Sequence, residues 1–340
     1  MADDVRFGII GTGGIAAAFA SEMQWVDGGR VVAVGSRSAN HAERFGEVYQ
    51  VPRRHSSYED LVEDDEVDVV YVATPHPWHA ENTLAAIAHG KHVLVEKPFA
   101  MNAGEARRMV AAAREAGVFC MEAMWTRFLP HTIKIRELVT DGVLGDIRTV
   151  TVDHGQYFAP DPHHRLFSPE LGGGALLDLG VYVVSWAQMV LGTPTSVVAA
   201  SDPAFTGVDG QTSAILRYPD SAHAVVTCTL WAQTSRRAAI SGTEASIDVD
   251  PVFYAPTTFT LRRRDGDPER FNLEAGVAGP GKGLRFEALE VVRCVTTGLA
   301  ESPSMTLDET ISIMETMDRI REQAHATQAG APGPADARAR

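Results

Sequence analysis

A chain of 340 residues, 45% hydrophobic and 22% charged, can bury more than one core, and two domains is the expectation from length. A formal net charge of −14 argues against a nucleic-acid partner, which needs a concentrated patch of Lys and Arg. Cys120, Cys228 and Cys294 stand far apart in apolar segments with no C-x-x-C pair, which speaks against a disulfide framework or a thiolate metal site and for core cysteines in a reducing compartment.

The apolar run Val5–Ile10 follows two aspartates and runs into glycines, so it has neither the basic start of a secretory signal nor the length of a membrane span. No other window holds the uninterrupted ~20 apolar residues a spanning helix requires, and the chain reads as soluble, cytoplasmic and free of membranes. From Val5 to about Met124, short β-branched runs alternate with helix-period stretches, the pattern of a parallel sheet covered on both faces. Strands are predicted at Val5–Ile10, Val31–Gly35, Val67–Ala73, His92–Val95 and Val118–Met124. A helix lies between the last two, where Ala106, Met109, Val110 and Ala113 fall at helical spacing and Gly117 supplies the stop.

After about Thr126 longer alternating runs follow one another, as an antiparallel sheet demands. Strands are predicted at Ile147–Tyr157, Ser196–Ser201, Gln211–Tyr218, His223–Trp231, Ala238–Val249 and Thr257–Arg263, with Pro219, Asp220 and Ser221 turning a hairpin. Helical period returns from Ala175 to Leu191, and two helices, Leu284–Thr297 and Leu307–Gln323, close the fold before an Ala/Gly/Pro tail that reads as disordered from Ala324. The division is a first domain over 1–125, a second over 126–325 and a tail over 326–340.

Gly11-Thr12-Gly13-Gly14-Ile15-Ala16 follows the first strand and opens a helix, matching G-x-G-x-x-G/A in the context that gives the motif meaning. Gly11 permits the tight turn, Gly13 lets backbone approach a pyrophosphate, and Ala16 allows close helix–strand packing. The fold class is therefore α/β, a Rossmann domain with a parallel sheet, joined to an α+β domain with a large, mainly antiparallel open sheet. The second strand ends in Gly35-Ser36-Arg37-Ser38 with no carboxylate for ribose hydroxyls; Arg37 can pair with a 2′-phosphate while Ser36 or Ser38 donates, which favours NADP(H) and leaves NAD as the other dinucleotide.

Two further loops, Thr74-Pro75-His76 with His79 and the segment ending in Glu96-Lys97-Pro98, fall at the C-terminal ends of neighbouring strands, where such sheets bind ligands. The run from Gly90 to Pro98, Gly-Lys-His-Val-Leu-Val-Glu-Lys-Pro, resembles the signature of the glucose–fructose oxidoreductase, inositol dehydrogenase and rhizopine-catabolism (Gfo/Idh/MocA) family. The stretches Glu122 to Pro130 and Arg165 to Tyr182 resemble its dimeric dihydrodiol dehydrogenase and NADP-dependent D-xylose dehydrogenase branch; the likeness covers nearly the whole chain and is weakest beyond about Val252.

The resemblance implies that Lys97 is catalytic, positioned by Glu96 and Pro98 beside the nicotinamide. Asp178 and Tyr182, four apart at helical period, share a face and can act together. Tyrosine at 182, where inositol dehydrogenases carry histidine, makes an inositol substrate less fitting. A phenol of ordinary pKa near ~10 needs a nearby cation to act as a base, and Lys97 is the expected source. Asp178 either orients substrate hydroxyls or tunes the Lys–Tyr pair. By resemblance, Trp125 and Arg127 border the cofactor, and Trp125, Phe158 and Arg165 line the side of a sugar or cyclic diol, with a core role for Phe158 equally open. His79 faces the cofactor loop, and His76 stands where asparagine is common. His76 with His79, and His163 with His164, lack a third ligand at metal spacing, so no metal is expected.

The rival reading is a nucleotide-sensing regulator of the same fold without turnover; a sensor has no need to keep Lys97, Asp178 and Tyr182 together. Glucose–fructose oxidoreductase chemistry with a cofactor never released would call for arms over the dinucleotide, and only four residues precede the first strand. Alternation of Val225, Thr227, Thr229 and Trp231 with Val226, Cys228 and Leu230 gives the second sheet two apolar faces, one of them suited to a homodimer.

Overall fold

The structure, a computed structural model, describes residues 4–273 and 281–330, with side chains to 324. The first half runs β1 (Val5–Ile10), α1 (Gly14–Glu22), β2 (Gly29–Gly35), α2 (Ala39–Tyr49), β3 (Arg53–His55), α3 (Tyr58–Val62), β4 (Val69–Val72), α4 (His79–Ala88), β5 (His92–Glu96), α5 (Ala103–Ala116) and β6 (Cys120–Ala123). These strands form a six-stranded parallel sheet in the order β3-β2-β1-β4-β5-β6. The order reverses between β1 and β4, which opens a crevice at the C-terminal strand ends. β4 and β5 are buried on both faces because helices cover each side, hence their continuous Val/Leu runs. The predicted helix is α5, capped by Asn102 accepting from Glu105 N and stopped by Gly117 at φ +65°. β3 escaped the sequence reading because Arg53-Arg54-His55 carries no apolar period, which an edge strand does not need.

Then come α6 (Pro130–Thr140), β7 (Ile147–Gly155), α7 (Val181–Leu191), β8 (Ser196–Pro203), β9 (Asp209–Arg217), β10 (His223–Thr229), β11 (Ala238–Gly242), β12 (Ala245–Val249), β13 (Phe259–Arg263), β14 (Glu269–Phe271), α8 (Leu284–Thr296) and α9 (Leu307–Gly330). Eight strands pair as β14-β13-β12-β11-β7-β10-β9-β8, antiparallel except for β7 with β10. The expected hairpin at Pro219 is β9–β10, with Asp220 and Ser221 at positive φ.

Three expectations change. Ala238–Val249 is two strands: buried positions shift from even (Ala238, Ile240) to odd (Ala245, Ile247, Val249), and that one-residue phase slip is all that marks the turn at Thr243-Glu244. β14 was missed as a three-residue edge. Helix α9 continues through Gly330, past Ala324 where the tail was expected to begin; residues 331–340 of that tail lie outside the described residues. The stretch Pro169–Leu191 is long and apolar enough to cross a membrane, at mean hydropathy 1.5, but 83% of its most apolar window is buried inside the protein, the profile of a core helix.

α7 and α9 pack on the inner face of the second sheet, while α8 returns to the first half and packs on α1, β1 and β2. Glu22, buried at the end of α1, holds that return: its carboxylate accepts from the backbone N–H of Lys282 (2.7 Å), Gly283 (3.2 Å) and Arg285 (3.2 Å) and from Arg285 Nη1 (3.3 Å). An anion among the free N–H groups at the start of α8 satisfies both partners.

Candidate active site

The crevice is a cleft of 860 Å³ that begins at the glycine loop after β1. Gly11 sits at φ +106° and a Cβ there would stand 2.6 Å from Ala73 O, so only glycine allows β1 and the loop after β4 to meet. At Gly13 and Gly14 a Cβ would find nothing within 4 Å: that backbone lies open to the cleft. Gly13 caps α1 without any side-chain hydrogen bond, which leaves the first N–H groups of the helix for an anion. A bare helix N-terminus under an open glycine backbone fits a dinucleotide pyrophosphate. Thr12 and Ile15 line the same cleft; Ala16 is fully buried at the α1–sheet contact.

At one end stand Ser36, Arg37 and Ser38. Ser36 Oγ accepts from Ser38 N at 3.3 Å, and the Arg37 guanidinium lies 5.5 Å from the Trp78 ring centre, a cation–π placement that keeps the charge at the cleft edge. Thr74, Pro75 and His76 line the middle of the cleft. His79 is buried with Nδ1 2.9 Å from Pro98 O and Nε2 2.8 Å from Thr74 O, so one ring ties together the loops after β4 and β5. Burial lowers its pKa. The Lys97–Pro98 peptide is cis.

At the other end, Lys97 Nζ donates to Asp178 O (2.9 Å) and Oδ1 (3.1 Å), and lies 4.8 Å from the Tyr182 ring centre. The sequence stretch that supplies both partners opens as a π-helical turn, Leu176–Gly180, and continues as α7. Such wide turns recur at functional sites. Asp178 is the hub: Oδ1 also accepts from Arg165 Nη1 and Nη2, both at 3.1 Å, with His76 Nε2 3.7 Å away. Burial disfavours its charge, yet the Lys97 and Arg165 cations outweigh that and hold the carboxyl well below the usual carboxylate range. Burial pushes His76 down to about 3, so its ring is neutral, with Nδ1 donating to Gly172 O at 3.0 Å. Tyr182 departs from expectation. Burial, with the Glu96 and Asp178 charges, raises its pKa well above 10, and Lys97 meets the ring face of the phenol. Trp125, its indole N–H on Tyr254 O at 2.6 Å, stands edge-on to Tyr182 at 5.1 Å.

Residues 5–124 match the model of an oxidoreductase family with an NAD-binding Rossmann fold, and residues 132–248 match the GFO/IDH/MocA C-terminal domain. The chain belongs to the Gfo/Idh/MocA oxidoreductase family. It is 36% identical to trans-1,2-dihydrobenzene-1,2-diol dehydrogenase of Xenopus laevis and 37% identical to that of Danio rerio, covering 94% of this chain in each case and 97% and 96% of those proteins. Among solved structures it resembles aldose-aldose oxidoreductase from Caulobacter crescentus complexed with glycerol (TM-score 0.85, 27% identity, 95% of this chain and 98% of that one). It also resembles KijD10, a 3-ketoreductase from Actinomadura kijaniata, in complex with NADP and TDP-benzene (TM-score 0.82, 27% identity, 94% and 98% covered). The chain is thus an NAD(P)-dependent oxidoreductase acting on hydroxyl-bearing carbons.

Arg127, which the family resemblance put at the cleft, stands elsewhere, and Phe158 takes the core role that was equally open to it. Arg127 is buried among Ser185 Oγ (2.9 Å), Ser185 O (2.8 Å) and Glu309 Oε1 (2.7 Å), clamping α7 to α9, because the chain turns inward right after Trp125. Phe158 packs on a satellite core with Leu166, Phe167 and Leu230, beside His164 at 5.6 Å. His164 caps a short turn, accepting from Leu166 N. Conversely, His41, Tyr58 and Lys282 line the cleft without having been singled out. For Lys282 the one signal was its glycine neighbours, Gly281 and Gly283; for Glu22, which holds it, there was none.

Proposed function

We propose that the protein is an NADP(H)-dependent oxidoreductase of a sugar or cyclic diol, of the aldose 1-dehydrogenase or trans-dihydrodiol dehydrogenase type. The observation that carries this reading is the pairing of Lys97 with Asp178 at the far end of a glycine-cradled cleft, with the buried Tyr182 ring packed against Lys97. The loop Gly11–Ile15 would hold the pyrophosphate, Ser36, Arg37 and Ser38 the 2′-phosphate, and Thr74, Pro75, His76, Glu96 and Trp125 would border the rest. The names of relatives that act on a diol and on aldoses, and the NADP in KijD10, support the choice of cofactor and substrate class.

A bound nicotinamide supplies the hydride acceptor or donor. Asp178, permanently ionised, fixes Lys97 Nζ and the Arg165 fork and exchanges no proton. Of the two roles left open for Asp178, orienting substrate hydroxyls or tuning the Lys–Tyr pair, its three N–H partners on Lys97 and Arg165 favour the second, exerted by anchoring the Lys97 ammonium. Tyr182 keeps its proton at Oη, which suits protonation of a carbonyl oxygen in reduction; in oxidation the same oxygen must take up the hydroxyl proton, so oxidation speeds up as pH rises. Lys97 and Arg165 donate to substrate oxygens from the Asp178 side.

The exposed face of the second sheet, with Val198, Ile215, Val225 and Trp231, is the expected homodimer surface, and the three buried thiols suit the cytoplasm. Titration of the purified protein with NADPH and NADH by nicotinamide fluorescence, followed by D-xylose, D-glucose and trans-cyclic diols, tests the reading. Tighter NADPH binding that Arg37→Ser reverses, and turnover that Lys97→Ala abolishes, are expected. Binding without turnover across that panel would return weight to a sensor, and a monomer in light scattering at all concentrations would remove the dimer.

A further inference from the structure

The turn that carries Asp178 starts without a cap of its own. Gly172, Gly173 and Gly174 lead into it, and they have no side chain to offer the free N–H groups at its start. The cap comes instead from the second sheet. Asp209, the first residue of β9, lies 33 residues away in sequence, and its Oδ2 accepts from Leu176 N at 2.6 Å. Leu176 opens the π-helical turn, two residues before Asp178. The glycines also make room for this contact: Gly174 sits at φ +117°, and a Cβ there would collide with Asp209 Oδ1, so the carboxylate fills the notch that the missing side chain leaves. Thr212 Oγ1 stands 3.3 Å from the same Oδ2. Arg321, the cation on the same side, is committed to Asp318 Oδ1 at 3.3 Å and to Met101 O at 3.4 Å. The short contact of the carboxylate is therefore with backbone N–H at a helix start, a charge-assisted bond that the helix dipole reinforces.

We propose that Asp209 is a positioning residue of the active site: by capping the π-helical turn from a distant strand, it sets where Asp178 holds Lys97. The path is short. Leu176 and Asp178 belong to one turn, and Asp178 N donates to Gly174 O at 3.4 Å beside the Asp209 notch. Asp178 offers Lys97 Nζ two acceptors, its backbone O at 2.9 Å and Oδ1 at 3.1 Å. Since one of the two is main chain, a shift of the turn displaces the ammonium whatever the Asp178 side chain does. Asp209 borders a separate cavity of 200 Å³, with Ser201, Thr212, Ile320 and Arg321, and not the cofactor cleft, so its influence on the reaction runs through the turn. The inference rests on the reading of Lys97 as the catalytic lysine.

The test uses the full-length protein with Asp209→Ala, which removes the acceptor next to an existing cavity, and Asp209→Asn, whose amide oxygen still accepts from Leu176 N–H but carries no charge. Each is made in the native protein and in D178N. With a turned-over aldose or diol, kcat should fall roughly tenfold or more in D209A and about threefold in D209N, because a neutral acceptor holds the N–H more weakly. NADPH affinity by fluorescence should stay within about twofold, since the glycine cradle is untouched. In D178N, where the lysine has already lost its charged anchor, either substitution should cost less than about twofold, the non-additivity of residues that act through one another. Hydrogen exchange of the amides of residues 176–180, read by mass spectrometry, should be faster in both variants, most in D209A. Native kcat in D209A, or losses as large in D178N as in the native background, would overturn the proposal. Should D209A not fold, D209N carries the same comparison, and native kcat in D209N then overturns it. If no compound of the panel is turned over, exchange decides, and native exchange rates in the folded variants sink the idea. Turnover that survives Lys97→Ala would defeat the functional reading, whereas native kcat in D209A beside an inactive K97A defeats this inference alone.

Discussion

Replacing Asp178 by Asn keeps the shape of the hub and removes its charge. In the native protein Oδ1 accepts from Lys97 Nζ and from two Arg165 nitrogens, each at 3.1 Å, inside a site where Asp178 is 5% exposed. A hydrogen bond to a charged group is worth about 1.5–3 kcal/mol and is roughly twice as strong as a neutral one, so the Lys97 contact loses about 1–1.5 kcal/mol. The Arg165 side chain is half exposed, and solvent limits its share to about 1 kcal/mol. Together these give about 2–2.5 kcal/mol of lost positioning, which converts to a fall of roughly 30- to 70-fold in kcat. The glycine cradle is untouched, so NADPH should bind within about threefold of the native affinity. Steady-state kcat at saturating NADP+ with a turned-over aldose or diol, and NADPH titration by fluorescence, are the assays. A D178N enzyme within fivefold of native kcat, or a loss confined to NADPH affinity, would refute the anchoring role.

Gly13→Ala should leave the melting temperature unchanged, because a methyl there meets open space, yet weaken NADPH binding at least tenfold; Gly11→Ala, strained at φ +106° and 2.6 Å from Ala73 O, should lower the melting temperature by several degrees. If G13A binds NADPH normally, the pyrophosphate lies elsewhere. Arg127→Met, which removes a buried clamp, should cost about 3 kcal/mol in urea unfolding while the folded protein binds NADPH as before; a selective loss of binding would restore Arg127 to the cofactor site. Burial pushes Glu122 up to about 7, so the folded protein retains a proton that the unfolded chain gives up from about pH 4.3, and stability falls as pH rises through that window and levels off past 7. Glu122→Gln, still able to accept from Phe99 N–H, should therefore gain in melting temperature over the native protein between pH 5 and 7 and hold a constant lead above; a lead that does not change from pH 5 to 7 would place an ionised carboxylate at 122.

Much of the site was legible because its chemistry is local. The turn, the bare helix start and the missing carboxylate after β2 are properties of a few adjacent residues, and Asp178 and Tyr182 share a helical face by spacing alone. Arg127 was misplaced for the opposite reason: it follows Trp125, which does line the cleft, and adjacency says nothing about which way the chain turns next. Tyr182 was assigned the right neighbour and the wrong approach. That Lys97 would be near it followed from the resemblance, but whether an ammonium meets a phenol at its oxygen or over its ring depends on where Asp178 draws the ammonium.

Hydrophobic period and turn chemistry by themselves determined two sheets of different kind, the dinucleotide loop and the lysine loop, since each is written in contiguous residues. What only the tertiary structure decided are contacts between distant residues. Glu22 reads as the solvated end of a helix until its bond to the N–H of Arg285, 263 residues away, buries it as α8 packs on α1, β1 and β2. A charge acquires its protonation state and its function from what surrounds it, and here the surroundings come from the other end of the chain.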